Sequence, residues 1–182
     1  MRENLADVLT SHDIAIDPSP EPSISLTQAE AGIIAGHGGL ATANRYSRSF
    51  TNDDHRGTSV SKIADLTRRS RLVILFVCSG GRVDPDPESG AGIGLARRLL
   101  ARGTQAVIAP PWPVPVFIAR PWLRAFLPPF RSGCSLIDCC YLANQVVGEA
   151  TSYDPSRYLA MTLYGNPFIS TGPGSATLGG RR

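Results

Sequence analysis

Leu72-Val73-Ile74-Leu75-Phe76-Val77-Cys78-Ser79-Gly80 is the stretch on which the fold turns. Its first six residues are apolar without alternation, and Val73, Ile74 and Val77 are β-branched. Such a run reads as a strand covered on both faces, which is the condition of a parallel sheet. The strand stops at Cys78-Ser79-Gly80-Gly81. Upstream, Val60, Ile63, Ala64 and Thr67 recur at helical spacing, with Arg68 and Arg69 at the end where cations suit the helix dipole. Before that, residues 41–58 are polar and read as a loop. Ala31-Gly32-Ile33-Ile34-Ala35 reads as a short strand ending in the turn Gly36-His37-Gly38-Gly39.

Downstream, Asp84-Pro85-Asp86-Pro87 marks a loop. Ile93, Ala96, Leu99 and Leu100 then predict a helix stopped at Gly103. A strand over Gln105 to Ala109 is broken by Pro110-Pro111-Trp112-Pro113. A helix or helix pair follows over 116–127. Leu136, Cys139, Cys140, Ala143 and Val147 then trace an amphipathic helix. Residues 158–164 read as a last strand, and the Gly-rich tail from Ser170 as disordered. The alternation of strands and helices predicts an α/β fold with a mainly parallel sheet. Three segments are expected: an N-terminal extension or linker over 1–30, with prolines at 18, 20 and 22, a single domain over 31–169, and a tail over 170–182.

The chain has 182 residues, 42% of them hydrophobic and 18% charged, enough to bury one core. A net charge of +3 is too small to argue for nucleic acid. Arg97, Arg98, Arg102, Arg120, Arg124 and Arg131 fall in a stretch without acids, so a basic face competes with scattered solvated arginines. No charged-then-apolar leader opens the sequence, and the apolar run from Ala106 to Ala119 is short and broken by prolines. Four cysteines fit neither a zinc spacing nor a disulfide framework. The expectation is a soluble cytoplasmic protein with reduced thiols and no cofactor or metal.

Ligands of parallel α/β sheets gather at the carboxyl ends of the strands. His37 and Cys78 both fall on that edge, 41 residues apart, a gap that holds one crossover unit. A thiol needs a neighbouring base to become a nucleophile at neutral pH, and an imidazole supplies one and later protonates a leaving amine. Glycines beside both residues let a substrate approach the backbone. Taken singly, a strand-end Cys is most often a small buried hydrophobe and a His in a glycine turn a surface residue; their joint position carries the signal. His12 and His55 have no partner by spacing. Cys139 and Cys140 share the apolar face of their helix, so packing competes with a metal or redox site for Cys134, Cys139 and Cys140. Gly90-Ala91-Gly92-Ile93-Gly94-Leu95 fails as a dinucleotide loop: it is far from the preceding strand, Leu95 replaces its third small residue, and no acid follows nearby. Cys78 and Arg82 are spaced too closely for a phosphatase loop.

Ile33-Ile34-Ala35-Gly36-His37-Gly38-Gly39 and Val73-Ile74-Leu75-Phe76-Val77-Cys78-Ser79-Gly80 resemble the histidine and cysteine motifs of caspase-like (clan CD) cysteine peptidases. Gly92-Ile93-Gly94-Leu95-Ala96, the run from Arg102 to Ala109 with Trp112, and Leu163-Tyr164-Gly165-Asn166-Pro167 are similar to the CHAT branch of that clan. CHAT domains are bacterial caspase-like domains often joined to tetratricopeptide repeats. The resemblance covers about residues 31–168 and implies a three-layer α/β/α sandwich. It implies Cys78 as nucleophile, His37 as general base, and the backbone N–H groups of Gly38 and Cys78 as oxyanion hole. Trp112 and Gly80 are implied at the substrate cleft. The implied activity is a cysteine endopeptidase, a hydrolase acting on a protein or peptide, with a tetratricopeptide-repeat or other regulatory protein as partner and neither nucleic acid nor membrane. The sequence departs from the branch where Pro113-Val114-Pro115-Val116 replaces an acidic position. Its Pro-rich first 30 residues leave no room for the family's further N-terminal strands. An idle or truncated caspase-like interaction module in a larger signalling assembly is therefore the alternative.

Overall fold

The computed structural model describes residues 2–15, 30–40, 48–51, 57–82, 84–85, 92–159 and 161–171. Its centre is β4 (Leu72–Val77), buried at all six positions, with β7 (Ala106–Ala109) buried beside it. β1 (Ala31–Leu40) pairs parallel to β4 from Ala31↔Leu72 to Gly36↔Val77, and β4 pairs parallel to β7. β8 (Thr162–Gly165) closes the far edge antiparallel to β7. The fold is α/β with an open sheet whose three central strands, β1, β4 and β7, run parallel and whose outer strands pair antiparallel.

The pleat sorts β4 onto two cores. Leu72, Ile74 and Phe76 join one buried cluster, and Val73, Leu75 and Val77 the other. Two clusters on opposite faces explain why the sequence run is apolar without alternation. The second face is covered by α2 (Val60–Leu66) and α3 (Leu95–Ala101), through Ile63, Ala64, Leu95, Ala96 and Leu99. Both crossover helices lie there because β1, β4 and β7 step in one direction across the sheet, and right-handed crossovers in one direction use one face.

The first face carries α1 (Arg2–Ser11), α4 (Ala119–Arg131) and α5 (Leu136–Ala150). Trp122 meets Phe76 edge-on at 5.9 Å and stacks on Phe126 at 4.7 Å, which stacks on Phe130 at 5.3 Å. The Trp122 indole N–H donates to Asn144 Oδ1 at 2.8 Å, so its polar atom is satisfied in the core.

Several sequence expectations are corrected. The first strand does not end before His37: β1 continues to Leu40, and its outer half pairs antiparallel with β2 (Arg48–Thr51), which pairs with β3 (Gly57–Ser59). The expected loop over 41–58 thus contains two strands; their polar sequence hid them because alternation is too short to read in three or four residues. Ile93 belongs not to a helix but to β6 (Gly92–Ile93), paired with β5 (Asp84–Pro85). Tyr158, Leu159 and Met161 are not strand. Asp154 caps a short α6 (Pro155–Tyr158), accepting from Ser156 N–H at 3.0 Å, and β8 begins only at Thr162. α4 runs beyond 127 through Pro128 and Pro129 in its last turns, after a 3₁₀ turn over Val116–Ile118.

Part of the supposed N-terminal extension is a core element, since Leu5 and Val8 of α1 are buried and Asp7 bridges Arg120 and Arg124 of α4. Ser170 and Thr171 are also held, by Arg71 and to the Phe130 carbonyl. The 17–23 linker and the tail beyond 171 lie outside the described residues. The six arginines form no single face: α3 and α4 cover opposite sides of the sheet, and Arg102, Arg120 and Arg124 pair with Asp65 or Asp7.

Phe126 is fully buried between Trp122 and Phe130. Phe126→Ala is expected to cost about 3–5 kcal/mol of stability, measured by urea unfolding, with the slope unchanged.

Candidate active site

The Cys78 turn forms because β4 runs out of partners. Beyond Gly36↔Val77 the two parallel strands separate, β1 toward β2 and β4 into a tight reversal. Gly80 N–H donates to the Val77 carbonyl at 2.9 Å, closing a four-residue turn with Cys78 and Ser79 at its apex. Ser79 has a φ of 56°, the left-handed conformation that the third position of such a turn requires. A serine there is strained and persists only where the surroundings hold it. They do: Ser79 N–H donates to the Trp112 carbonyl at 3.2 Å, and Gly81 N–H to the Pro110 carbonyl at 2.8 Å. Ala96 N–H donates to the Gly80 carbonyl at 3.2 Å, tying the turn to α3. The result is a rigid apex presenting a half-buried free thiol at Cys78.

His37 lies in β1, one residue past the last pair of the β1–β4 ladder, and Cys78 lies one residue past it in β4. Adjacent strands run about 4.8 Å apart, so the two backbones are neighbours where they leave the ladder. Gly38 follows in the antiparallel half, opposite Phe50.

Trp112 is half-buried. Its indole N–H donates to the Ser156 carbonyl at 2.7 Å, fastening the segment after β7 to α6. Gly80 is buried with both backbone polar groups engaged, so it shapes the turn rather than offering a substrate contact. The sequence reading gave no role to Tyr164, which packs under this turn. A Cβ at Gly81 would come within 2.5 Å of Tyr164 Oη and 2.9 Å of the Ala109 carbonyl. Burial raises the Tyr164 phenol above its ordinary value, against a hydrogen bond with Thr162. The following Gly165 has a φ of 93°, and a Cβ there would meet the Gln105 carbonyl at 2.4 Å. The Tyr-Gly-Asn-Pro pattern is thus explained by packing: Tyr164 buttresses the cysteine turn and Gly165 permits close approach to β7. The signal for Tyr164 was present in that motif, but only the fold shows what it touches.

Among the other thiols, Cys139 and Cys140 are buried as their helix spacing implied, and Cys134 is exposed in the turn before α5. Burial pushes Cys139 up to about 11 and Cys140 up to about 12. Among the described residues there is no group of three or more metal-ligating side chains, and no helix long and apolar enough to cross a membrane. His12 is half-buried beside the end of α1, and His55 lies outside the described residues.

No protein-family model matches the chain. Among curated proteins it is similar to Tetratricopeptide repeat protein 28 of Mus musculus, 28% identical over 120 residues. That match covers 64% of this chain but 5% of the mouse protein, so the chain spans a small part of its relative's length.

Two outcomes follow. Gly81→Ala is expected to destabilise the protein and displace the Cys78 turn, seen as a lowered Tm together with altered Cys78 alkylation. Under native conditions at pH 7.5, iodoacetamide is expected to modify Cys134 and Cys78 and to spare Cys139 and Cys140, which react only as pH approaches their raised values or on unfolding.

Proposed function

We propose that the chain is a caspase-like cysteine endopeptidase of the CHAT type, with Cys78 as nucleophile and His37 as general base. The observation that carries this reading is the register: both residues follow directly on Gly36↔Val77, at the carboxyl edge of neighbouring parallel strands. The held Cys78 turn adds support, because a nucleophile must be presented without conformational search.

The His37 imidazole takes the Cys78 proton as Sγ attacks the scissile carbonyl. The Gly38 and Cys78 N–H groups stabilise the oxyanion of the tetrahedral intermediate. The imidazolium then protonates the leaving amine, a thioester remains on Cys78, and water activated by His37 hydrolyses it. Trp112, anchored through Ser156, walls one side of the cleft. The likeness to a tetratricopeptide repeat protein fits a regulatory partner of that kind. This chain's own described residues form a sheet flanked by helices, so the likeness is not carried by helical repeats here.

The second reading, an interaction module with an idle dyad, is favoured by one observation. Ile137, Tyr141, Leu142 and Val146 on α5 are exposed, as is Phe168, at 78%. Exposed apolar groups together mark a surface that meets another molecule.

Turnover of a fluorogenic peptide library, with and without a repeat-bearing partner, decides between them. Cys78→Ala is expected to abolish hydrolysis, and His37→Ala to lower it by about 10²–10⁴-fold, with unfolding curves unchanged. No hydrolysis by the wild-type chain with or without the partner, or Cys78 alkylation indifferent to His37→Ala, leaves the interaction module as the function.

A further inference from the structure

Away from the His37–Cys78 edge, the corner between α4 and α5 places one cysteine just before the α5 cap and another at the fourth residue of that helix. α4 ends on a glycine cap: Gly133 has a φ of 91° and donates to the Phe130 carbonyl at 3.0 Å, and Cys134 N–H donates to the Pro129 carbonyl at 3.0 Å. The next residue, Ser135, already caps α5. It accepts from Asp138 N–H at 3.3 Å, and its hydroxyl donates to the Asp138 carboxylate at 2.6 Å. At helix starts of this kind the residue before the cap often packs against the fourth residue of the helix. Here those residues are Cys134 and Cys139, where two apolar side chains are usual. The backbone of Cys134 is fixed by the end of one helix and the start of the next, so the pairing does not depend on a mobile loop. Cys134 is exposed and Cys139 is fully buried. Besides burial, the charge of the neighbouring Cys134 contributes to the raised Cys139 value, which agrees with their closeness.

We propose that Cys134 and Cys139 form a redox pair, with Cys134 as the point of entry for a small disulfide of the glutathione class and Cys139 as the resolving thiol. The Cys134 thiolate attacks one sulfur of the reagent, forming a mixed disulfide and releasing one small thiol. Cys139 loses its proton to water and attacks Cys134 Sγ, forming the Cys134–Cys139 bond and expelling the second small thiol. The protein loses two hydrogens and the reagent is reduced to two thiols. Cys140 is the poorer resolving group, because its Sγ donates to the Met161 carbonyl at 3.5 Å, on the side of β8. The modification site is separate from the candidate dyad and stands or falls without it.

The test incubates the full chain in glutathione buffers of increasing oxidised fraction, alkylates it, and maps thiols by mass spectrometry with fragmentation. Residues 132–157 form one tryptic peptide holding Cys134, Cys139 and Cys140. The expected product is that peptide lighter by two hydrogens, with only Cys140 alkylated after unfolding. Closure should quicken about tenfold per pH unit between pH 7 and 9, as the buried thiol's thiolate fraction grows. Cys134→Ser should abolish closure and Cys140→Ala should leave it intact, the latter a readout that survives if Cys139→Ala fails to fold. A glutathione adduct persisting on Cys134, a bond to Cys140, or Cys134 alkylating equally in oxidised and reduced buffer would overturn the proposal.

Discussion

The last rung of the β1–β4 ladder, Gly36 against Val77, governs the geometry of the carboxyl edge. Up to that rung the two strands share a parallel register and a common pleat. Beyond it they separate, one into a hairpin and the other into a turn, and His37 and Cys78 are the residues at which they part. A single slip of register would send every side chain of β1 to the opposite face. Ile33 and Ile34 would then exchange cores, so the hydrophobic packing on both sides of the sheet also sets the relative position of the two candidate catalytic residues.

Rigidity at the edge is supplied by backbone groups rather than by side-chain chemistry. Ser79 adopts a left-handed conformation because four surrounding carbonyl and amide contacts, from Val77, Pro110, Trp112 and Ala96, hold the turn from three directions. Tyr164 from the last strand fills the space beneath it, and the absence of a side chain at Gly81 makes that fit possible. The turn is therefore coupled to β8 and α3 as well as to its own strand. A substitution distant in sequence, at Tyr164, acts on the candidate nucleophile through packing alone.

Two parts of the molecule were legible before any coordinates. The central strand was readable because burial on both faces removes alternation, which leaves a run that no surface segment of that length matches. α5 was readable because Leu136, Cys139, Cys140, Ala143 and Val147 keep helical spacing from 136 to 147 within a fifteen-residue helix, and all five are buried. The hairpin of β2 and β3 was not readable, since strands of four and three residues carry too little pattern against polar surroundings. Neither was α6, whose four residues are set by the Asp154 cap and a proline at its first turn rather than by periodicity. For the arginines the sequence left a basic face and scattered residues in competition, and the fold decides for the second, because α3 and α4 sit on opposite sides of the sheet.

By itself the sequence determined the α/β class, the buried central strand, and the arrival of a Cys at the end of that strand. Each rests on local pattern, and local pattern is what a linear chain displays. Only the tertiary structure decided that Gly36 and Val77 are partners, that Tyr164 lies under Gly81, and that Cys134 closes one helix as Ser135 caps the next. These are contacts between residues whose neighbourhood is created by folding. Strand register and helix capping set them, and neither is a property of any one segment.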